Sequence, residues 1–491
     1  MTGTSLLALF LFALWPQTAP KEVSDPRPLN VLWLVAEDMG PELACLGTPE
    51  LQTPNLDRLA AEGVLYRRAF APAPVCSVSR SGWMTGTWPI AVGTHNHRSH
   101  RQDGFVLPEG VKVLTDWLRP AGYFTANLVH LSSSTQEIPF RGTGKMDWNF
   151  HYEGKAFDGK RWDQLKSHQP FFAQINFSET HRGKSWDRAH ESLPKAANPE
   201  AVKLPPYYPD HSLARGDWAQ YLNTVMALDA KVGLILEHLR KEGLDRNTLV
   251  FFFADHGRAM VRGKQWCYDS GLHVPLMVRW PKEHPLPAGW PQSPQVDDLV
   301  SLLDLGPTLM ALAGQKIPAS MAGRPLFGAK DLSPREYVFA SRDRCDETVF
   351  RIRSIRDRRF RYIRNFYPER PFLLLNRYKE WSYPMLSLMR ELHANGELNP
   401  VQAKLFASNR PAEELYDLEN DPYEIRNLAS KIEFAPEKKR LKQALEHWMD
   451  VCQDRGGQAE PQEVLDLWEQ RMEKNYGNRL RKRQLFHSKK K

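Results

Sequence analysis

Asn30-Val-Leu-Trp-Leu-Val-Ala36 runs as an unbroken apolar stretch and ends in Glu37-Asp38. A strand covered on one face would alternate apolar and polar residues, so a continuous run points to a strand buried on both faces of a parallel sheet. Thr53-Pro54 then offers a helix start, Leu56, Leu59 and Ala60 recur at helical spacing, and Gly63 stops the helix. Further along, Tyr221, Leu222, Val225, Leu228, Val232, Ile235, Leu236 and Leu239 make one helical stripe closed by Gly243. Thr248-Leu-Val-Phe-Phe-Phe253 is a second two-sided strand, ending in Ala254-Asp255-His256-Gly257. Strands of this kind alternating with helices predict an α/β domain, a large doubly wound mixed sheet flanked by helices, over residues 28–340.

Beyond it, the pieces around Val338–Ala340, Phe350–Arg353 and Phe360–Ile363 alternate as half-exposed strands do. They predict a smaller C-terminal α+β domain, residues 341–455, with an antiparallel sheet and a closing helix over Glu433–Asp450. Residues 456–491 read as a charged, partly mobile tail. Within it, Lys474 to Lys491 holds eight basic residues and no acid, which accounts for the whole excess of 66 Lys and Arg over 58 Asp and Glu. The folded body is formally neutral, and with no basic patch interleaved with aromatics, nucleic acid is not an expected partner. Leu6 to Trp15 followed by Gln17-Thr18-Ala19 reads as a signal peptide over residues 1–19, so the protein is expected to be exported to a periplasmic, extracellular or lysosome-like compartment. No later segment has the length of an integral membrane span. Five cysteines are too few for a disulfide framework, and their pairing does not follow from their order.

In a parallel sheet the carboxyl ends of the strands share one edge, where ligands bind. Glu37-Asp38 and Asp255-His256 each end a buried strand, so the fold can gather them, and their oxygen donors suit calcium or magnesium. In Ala73-Pro-Val-Cys76-Ser-Val-Ser-Arg80-Ser-Gly-Trp-Met-Thr85-Gly86, Cys76 and Arg80 stand four apart at a loop-to-helix junction. If helical, they share a face, and the arginine can hold a nucleophile or an oxyanion near the thiol. Thr94 to Arg101, with its three histidines, is either a polyanion-binding or a solvated loop. The sequon at Asn176 falls in a predicted buried strand, Phe171–Phe177, where glycosylation is not expected.

These stretches, with Thr53-Pro-Asn-Leu-Asp-Arg-Leu-Ala60, Gly263-Lys264, Tyr268-Asp-Ser-Gly-Leu-His-Val-Pro275 and Glu414-Leu-Tyr-Asp-Leu-Glu-Asn-Asp-Pro422, resemble the type I sulfatases of the alkaline-phosphatase superfamily from Asn30 to about Arg455. Phe177-Ser-Glu-Thr-His181-Arg182, Pro205-Pro-Tyr-Tyr-Pro209 and Ile352-Arg-Ser-Ile-Arg356 are most similar to the heparan N-sulfatase (N-sulfoglucosamine sulfohydrolase) type. The resemblance implies that a formylglycine-generating maturation enzyme oxidises Cys76 to formylglycine, whose hydrate is the nucleophile. It implies one calcium ion among Glu37, Asp38, Asp255, His256 and residue 76, positive charge from Arg80 and Lys264, and His181 as the acid for the leaving group. The implied substrate is a sulfated sugar or glycosaminoglycan, cleaved as sulfate ester or sulfamate. Three positions depart from the family pattern. Glu37-Asp38 replaces an Asp pair, and Val78 stands where proline is usual. Gly122-Tyr123-Phe-Thr-Ala-Asn-Leu128-Val-His130 keeps the family's histidine at His130 but has Leu128 in place of lysine, so Lys145 is the candidate for the missing ammonium. Two other functions fit these residues, a phosphonate or phosphate diester hydrolase and an inactive sulfated-glycan-binding protein. Sugar specificity is expected from loops that include Tyr367 to Pro400.

Overall fold

The computed structural model describes residues 28–48, 50–100, 103–330 and 332–488. The leader at residues 1–19 lies outside them. Eight strands, β1 (Asn30–Ala36), β2 (Val64–Phe70), β3 (Phe124–His130), β4 (Gly159–Arg161), β5 (Phe171–Asn176), β6 (Thr248–Ala254), β7 (His273–Arg279) and β8 (Gln295–Ser301), form a mixed sheet ordered β4-β3-β5-β1-β6-β7-β2-β8. β7 alone runs against its neighbours β6 and β2. β1 and β6 pair in parallel from Asn30 opposite Thr248 to Ala36 opposite Ala254. Every residue of both strands is buried, which is why neither alternates.

Trp33 anchors the centre. Its ring meets Trp83, Phe172, Phe251 and Phe253 edge-on, with centroids 4.8 to 6.4 Å apart. Edge-to-face contact sets the positive rim of one ring against the negative face of another. The helix Ser212–Lys241 lays its apolar stripe on the sheet, and Asp229 on it accepts the N–H of Leu56 at 2.7 Å. That carboxylate satisfies a donor left free at the start of the helix Pro54–Glu62 and complements its dipole.

The second sheet is antiparallel, ordered β12-β11-β10-β9, from β9 (Val338–Arg342), β10 (Ile352–Arg356), β11 (Phe360–Asn365) and β12 (Glu413–Asp417). The helix Ala435–Val451 covers it with Leu441, Leu445 and Trp448, and Trp88, Ile90 and Leu303 of the first domain join the same apolar cluster. The charged tail carries more regular structure than its composition suggests. Gln462–Met472 and Asn478–Ser488 are α-helices joined by a π-helical turn, Glu473–Gly477. Trp468 and Met472 are buried, and Arg377 meets Glu469 at 2.7 Å and Glu473 at 2.8 Å. A high charge density disguised a helix with one apolar face. Among the described residues no helix is long and apolar enough to cross a membrane.

Candidate active site

β1 and β6 lie side by side, so their carboxyl ends deliver Asp38 and Asp255 to one point. Asp38 takes a left-handed conformation (φ 51°), and its N–H donates to Asp255 Oδ1 at 2.9 Å. Such a conformation is uncommon outside glycine and turns the side chain back over the strand ends. Gly257 has to be glycine here, because a Cβ would stand 2.4 Å from the Ser270 carbonyl oxygen. Ligand atoms of Asp38, Asp255, His256 and Cys76 all fall within 4.8 Å of one another, and all four residues are buried.

His256 Nδ1 lies 2.9 Å from the Gly257 carbonyl, an acceptor only, so Nδ1 carries the hydrogen. Nε2 therefore faces Asp38 Oδ1, 2.9 Å away, and Asp255 Oδ1, 3.8 Å away. Burial alone would lower the imidazole pKa, yet Asp255 and Asp38 pull it up to about 10. The position demands positive charge, a proton or a metal ion, and a ring fixed through Nδ1 is oriented as metal-binding histidines are. Asp38, Asp255 and His256 thus fit a divalent cation, with residue 76 beside it.

Glu37 does not converge with them. Its Oε2 is 2.7 Å from Lys145 Nζ, since the longer side chain reaches past the cluster to an ammonium on the loop after β3. The Glu37 carboxylate forms an ion pair that brings Lys145 in. Leu128 is fully buried in the apolar core.

Cys76 opens the helix Cys76–Thr85, and its Sγ is 4.0 Å from Asp38 Oδ1. Burial resists ionisation of the thiol, but the Lys145 and Lys264 ammoniums bring it down to about 6. Lys264 Nζ reaches both oxygens of Asp38, at 2.9 and 2.7 Å. Arg80, one turn along, donates from Nε to Asp255 Oδ2 at 2.9 Å and from Nη1 to Asn176 Oδ1 at 2.7 Å, while its buried Nη2 has no partner among the described residues. His181 Nε2 is 4.0 Å from Asp38 Oδ2, and its side chain is 27% exposed, so it stands at the mouth of the cluster. Burial lowers its pKa despite the pull of Asp38. Its neighbour Arg182 is clamped by Asp217 at 2.6 and 2.9 Å, which fixes the turn that presents His181.

His130 does not join the site. β3 is separated from β1 by β5, and the His130 ring faces Arg141, 3.3 Å away. Asn176 and Asn127 do join. Asn176 ends β5, accepts from Arg80 and donates to Asn127 Oδ1 at 3.1 Å. The carboxyl-end rule that singled out Asp38 covers Asn176 as well, but its sequon drew attention instead. Of the histidine-rich loop, His95 and His97 are buried and His97 Nδ1 meets Ser77 Oγ at 2.8 Å, so this loop is built into the site and not solvated. Val78 packs with Ala73, Val75 and Cys345. All five cysteines are free thiols.

Known proteins resemble this chain in sequence and fold. Residues 29–315 match the sulfatase family, and residues 257–405 match the C-terminal domain of N-sulphoglucosamine sulphohydrolase. An ulvan-active sulfatase of Formosa agariphila is 32% identical over 91% of this chain and 79% of its own length. The N-sulphoglucosamine sulphohydrolase of Homo sapiens is 29% identical over 86% of this chain and 90% of its own. A protein solved in complex with its substrate D-glucosamine-2-N,6-O-disulfate shares the fold, with a TM-score of 0.58 at 18% identity, covering 87% of this chain and 98% of that one. The chain belongs to the sulfatase family of sulfuric ester hydrolases.

Proposed function

We propose that the protein removes sulfate from a sulfated sugar or glycosaminoglycan, as ester or sulfamate, with residue 76 as the nucleophile after oxidation to formylglycine and one calcium ion held by Asp38, Asp255 and His256. The observation that carries this reading is the placement of Cys76 at a helix start among those three ligands and two ammonium groups. Hydrated formylglycine would supply a geminal diol, one hydroxyl to attack sulfur and the other to be deprotonated so that sulfate departs, while the cation neutralises charge on the sulfuryl oxygens.

The chain's own residues do the rest. Lys264 and Lys145 flank the nucleophile and stabilise negative charge on the transferring group. The unpartnered Nη2 of Arg80 is a further donor within the helix that carries residue 76. Asp255 and Asn176 hold that guanidinium rigid, so little reorganisation accompanies the reaction. His181, half-buried at the mouth, is placed to protonate the departing oxygen or nitrogen. Lys145 answers the departure at Leu128, which favours an active enzyme over an inactive binder. Maturation by a formylglycine-generating enzyme and export through the leader at residues 1–19 belong to the same proposal.

Sulfate release from glucosamine-2-N,6-O-disulfate, measured beside cleavage of an aryl phosphodiester, tests the reading. Faster turnover of the sulfated sugar is expected. Preference for the phosphodiester would assign the site to phosphonate or phosphate diesters, and binding without turnover of either would assign it to a glycan-binding protein.

A further inference from the structure

Arg98 holds a costly backbone position next to the nucleophile segment. Its φ is 54°, in the left-handed region, and its N–H donates to Ser77 Oγ at 3.0 Å. A non-glycine residue persists there only where its surroundings hold it, and such residues gather at ligand clamps. Here Ser77 is the neighbour of Cys76, and His97 Nδ1 fixes the Ser77 hydroxyl. The Arg98 side chain is 36% exposed, and its Nε, 3.8 Å from Asp147 Oδ1, makes no hydrogen bond among the described residues. Asp147 also lies 3.7 Å from Lys145 Nζ, which ties Arg98 to the ammonium beside the nucleophile, and Cys76, Asp346, Tyr476 and Tyr378 favour its charge against the cost of burial.

Tyr476 comes from the tail. It sits in the π-helical turn Glu473–Gly477, a distortion that re-aims side chains and recurs at functional sites. Its ring is 5.8 Å from that of Tyr378, and the Tyr378 ring is 5.6 Å from Lys264 Nζ. Arg479, one turn on, lies 6.0 Å from the Tyr476 ring. Tyr476 is only half-buried, and the tail is docked by Trp468, Met472 and Arg377 without it. Asp346, the acid on this wall, is shared by His97 Nε2 at 3.7 Å and by the amides of Gln265 and Asn376 at 3.4 Å. A partly exposed forked cation held to the residue after Cys76, within electrostatic reach of the Tyr378–Tyr476 pair, matches an anion carried on a sugar ring. The fork can meet two oxygens of a sulfate or carboxylate at once, and the rings can cover the sugar's apolar face.

We propose that Arg98, with Tyr378 and Tyr476 beside it, is a specificity subsite for a second anionic group, a further sulfate or a uronate carboxylate, on the sugar whose scissile sulfate lies at residue 76. This rests on the sulfatase reading above. It gives the C-terminal helices a function, as one wall of the substrate cleft.

The test compares kcat/KM of the matured enzyme and its Arg98→Ala, Arg98→Lys and Tyr476→Ala variants on 4-nitrophenyl sulfate, glucosamine-2-N,6-O-disulfate and a monosulfated disaccharide containing a uronate. Arg98→Ala should lose about 10- to 100-fold on the doubly anionic sugars, mostly through KM. That loss should exceed the loss on 4-nitrophenyl sulfate by about tenfold or more. Arg98→Lys should recover part of it, and Tyr476→Ala should lose in the same direction. A loss confined to the disulfate assigns the subsite to sulfate, and one confined to the disaccharide assigns it to carboxylate. Losses of similar size on all three substrates, or none on the doubly anionic ones, would overturn the proposal. If the wild type cleaves no sulfate ester, calorimetric binding of glucosamine-2-N,6-O-disulfate to the Cys76→Ala protein separates the two ideas. Weaker binding on adding Arg98→Ala keeps the subsite while the enzymatic reading falls, and unchanged binding removes the subsite too.

Discussion

Lys264 Nζ lies 2.9 and 2.7 Å from the two carboxylate oxygens of Asp38, a contact between residues 226 positions apart with almost no exposure of either side chain. Burial alone would lower the pKa of this lysine, but Asp38 and Cys76 hold it well above the usual range. The ammonium therefore keeps its charge, held on Asp38 beside the residue 76 thiol.

Replacing it removes that charge and leaves Asp38 uncompensated. Lys264→Met should reduce sulfate turnover about 100-fold or more, as loss of one donor to developing charge does elsewhere. It should also lower stability by up to about 3–5 kcal/mol in the metal-free protein. Steady-state kinetics with thermal denaturation checks both, and turnover within about threefold of wild type would contradict the placement of Lys264 beside the transferring group.

Glu37 and Asp38 are adjacent in sequence and differ in duty. Asp38→Asn should abolish stoichiometric calcium in the purified protein, whereas Glu37→Gln should retain it, because the Glu37 carboxylate is spent on Lys145. Elemental analysis reads this without an activity assay. Equal loss of metal in the two variants would show that Glu37 is a ligand.

Stability should depend on pH near neutrality through Glu347. Burial raises its carboxyl to about 7, against the Arg377 N–H that bonds it at 2.7 Å. The folded state thus binds a proton that the unfolded chain has lost. The associated stability is complete below the unfolded value near 4.5 and disappears as pH rises through about 7. The contribution is on the order of 2–3 kcal/mol. Glu347→Gln should flatten the fall in Tm between pH 5 and 8, as followed by circular dichroism, and an unaltered slope would refute the assignment.

Trp33 tests the core. It has no exposed surface and touches four aromatic rings. Trp33→Ala should cost about 3–5 kcal/mol in a denaturant titration, because the cavity between β5, β1 and β6 cannot close without moving the strand ends that carry Asp38 and Asp255.

Which parts of this were legible in the chain follows from how each was encoded. β1 and β6 were readable because burial on both faces removes alternation, and their acidic ends then had only one edge of the sheet to occupy. The position of His130 was not legible because its spacing marks a strand end but does not say that its ring turns to Arg141. The Glu37–Lys145 pair was not legible, because Lys145 is 108 residues away on a loop. Asn176 carried the right positional signal beneath a stronger irrelevant one. Arg98 and Tyr476 belong to segments that meet only in three dimensions, and the tail's two buried anchors, Trp468 and Met472, are sparse among charges.

The central claim is chemical, that residue 76 becomes an aldehyde and does the work. Peptide mass spectrometry of the active protein, read against specific sulfate-release activity across preparations of differing maturation, measures it. The account predicts a peptide in which the Cys76 side chain has exchanged its thiol for a carbonyl oxygen, in a fraction that scales with activity. Full activity in protein whose Cys76 is wholly an unmodified thiol would contradict it.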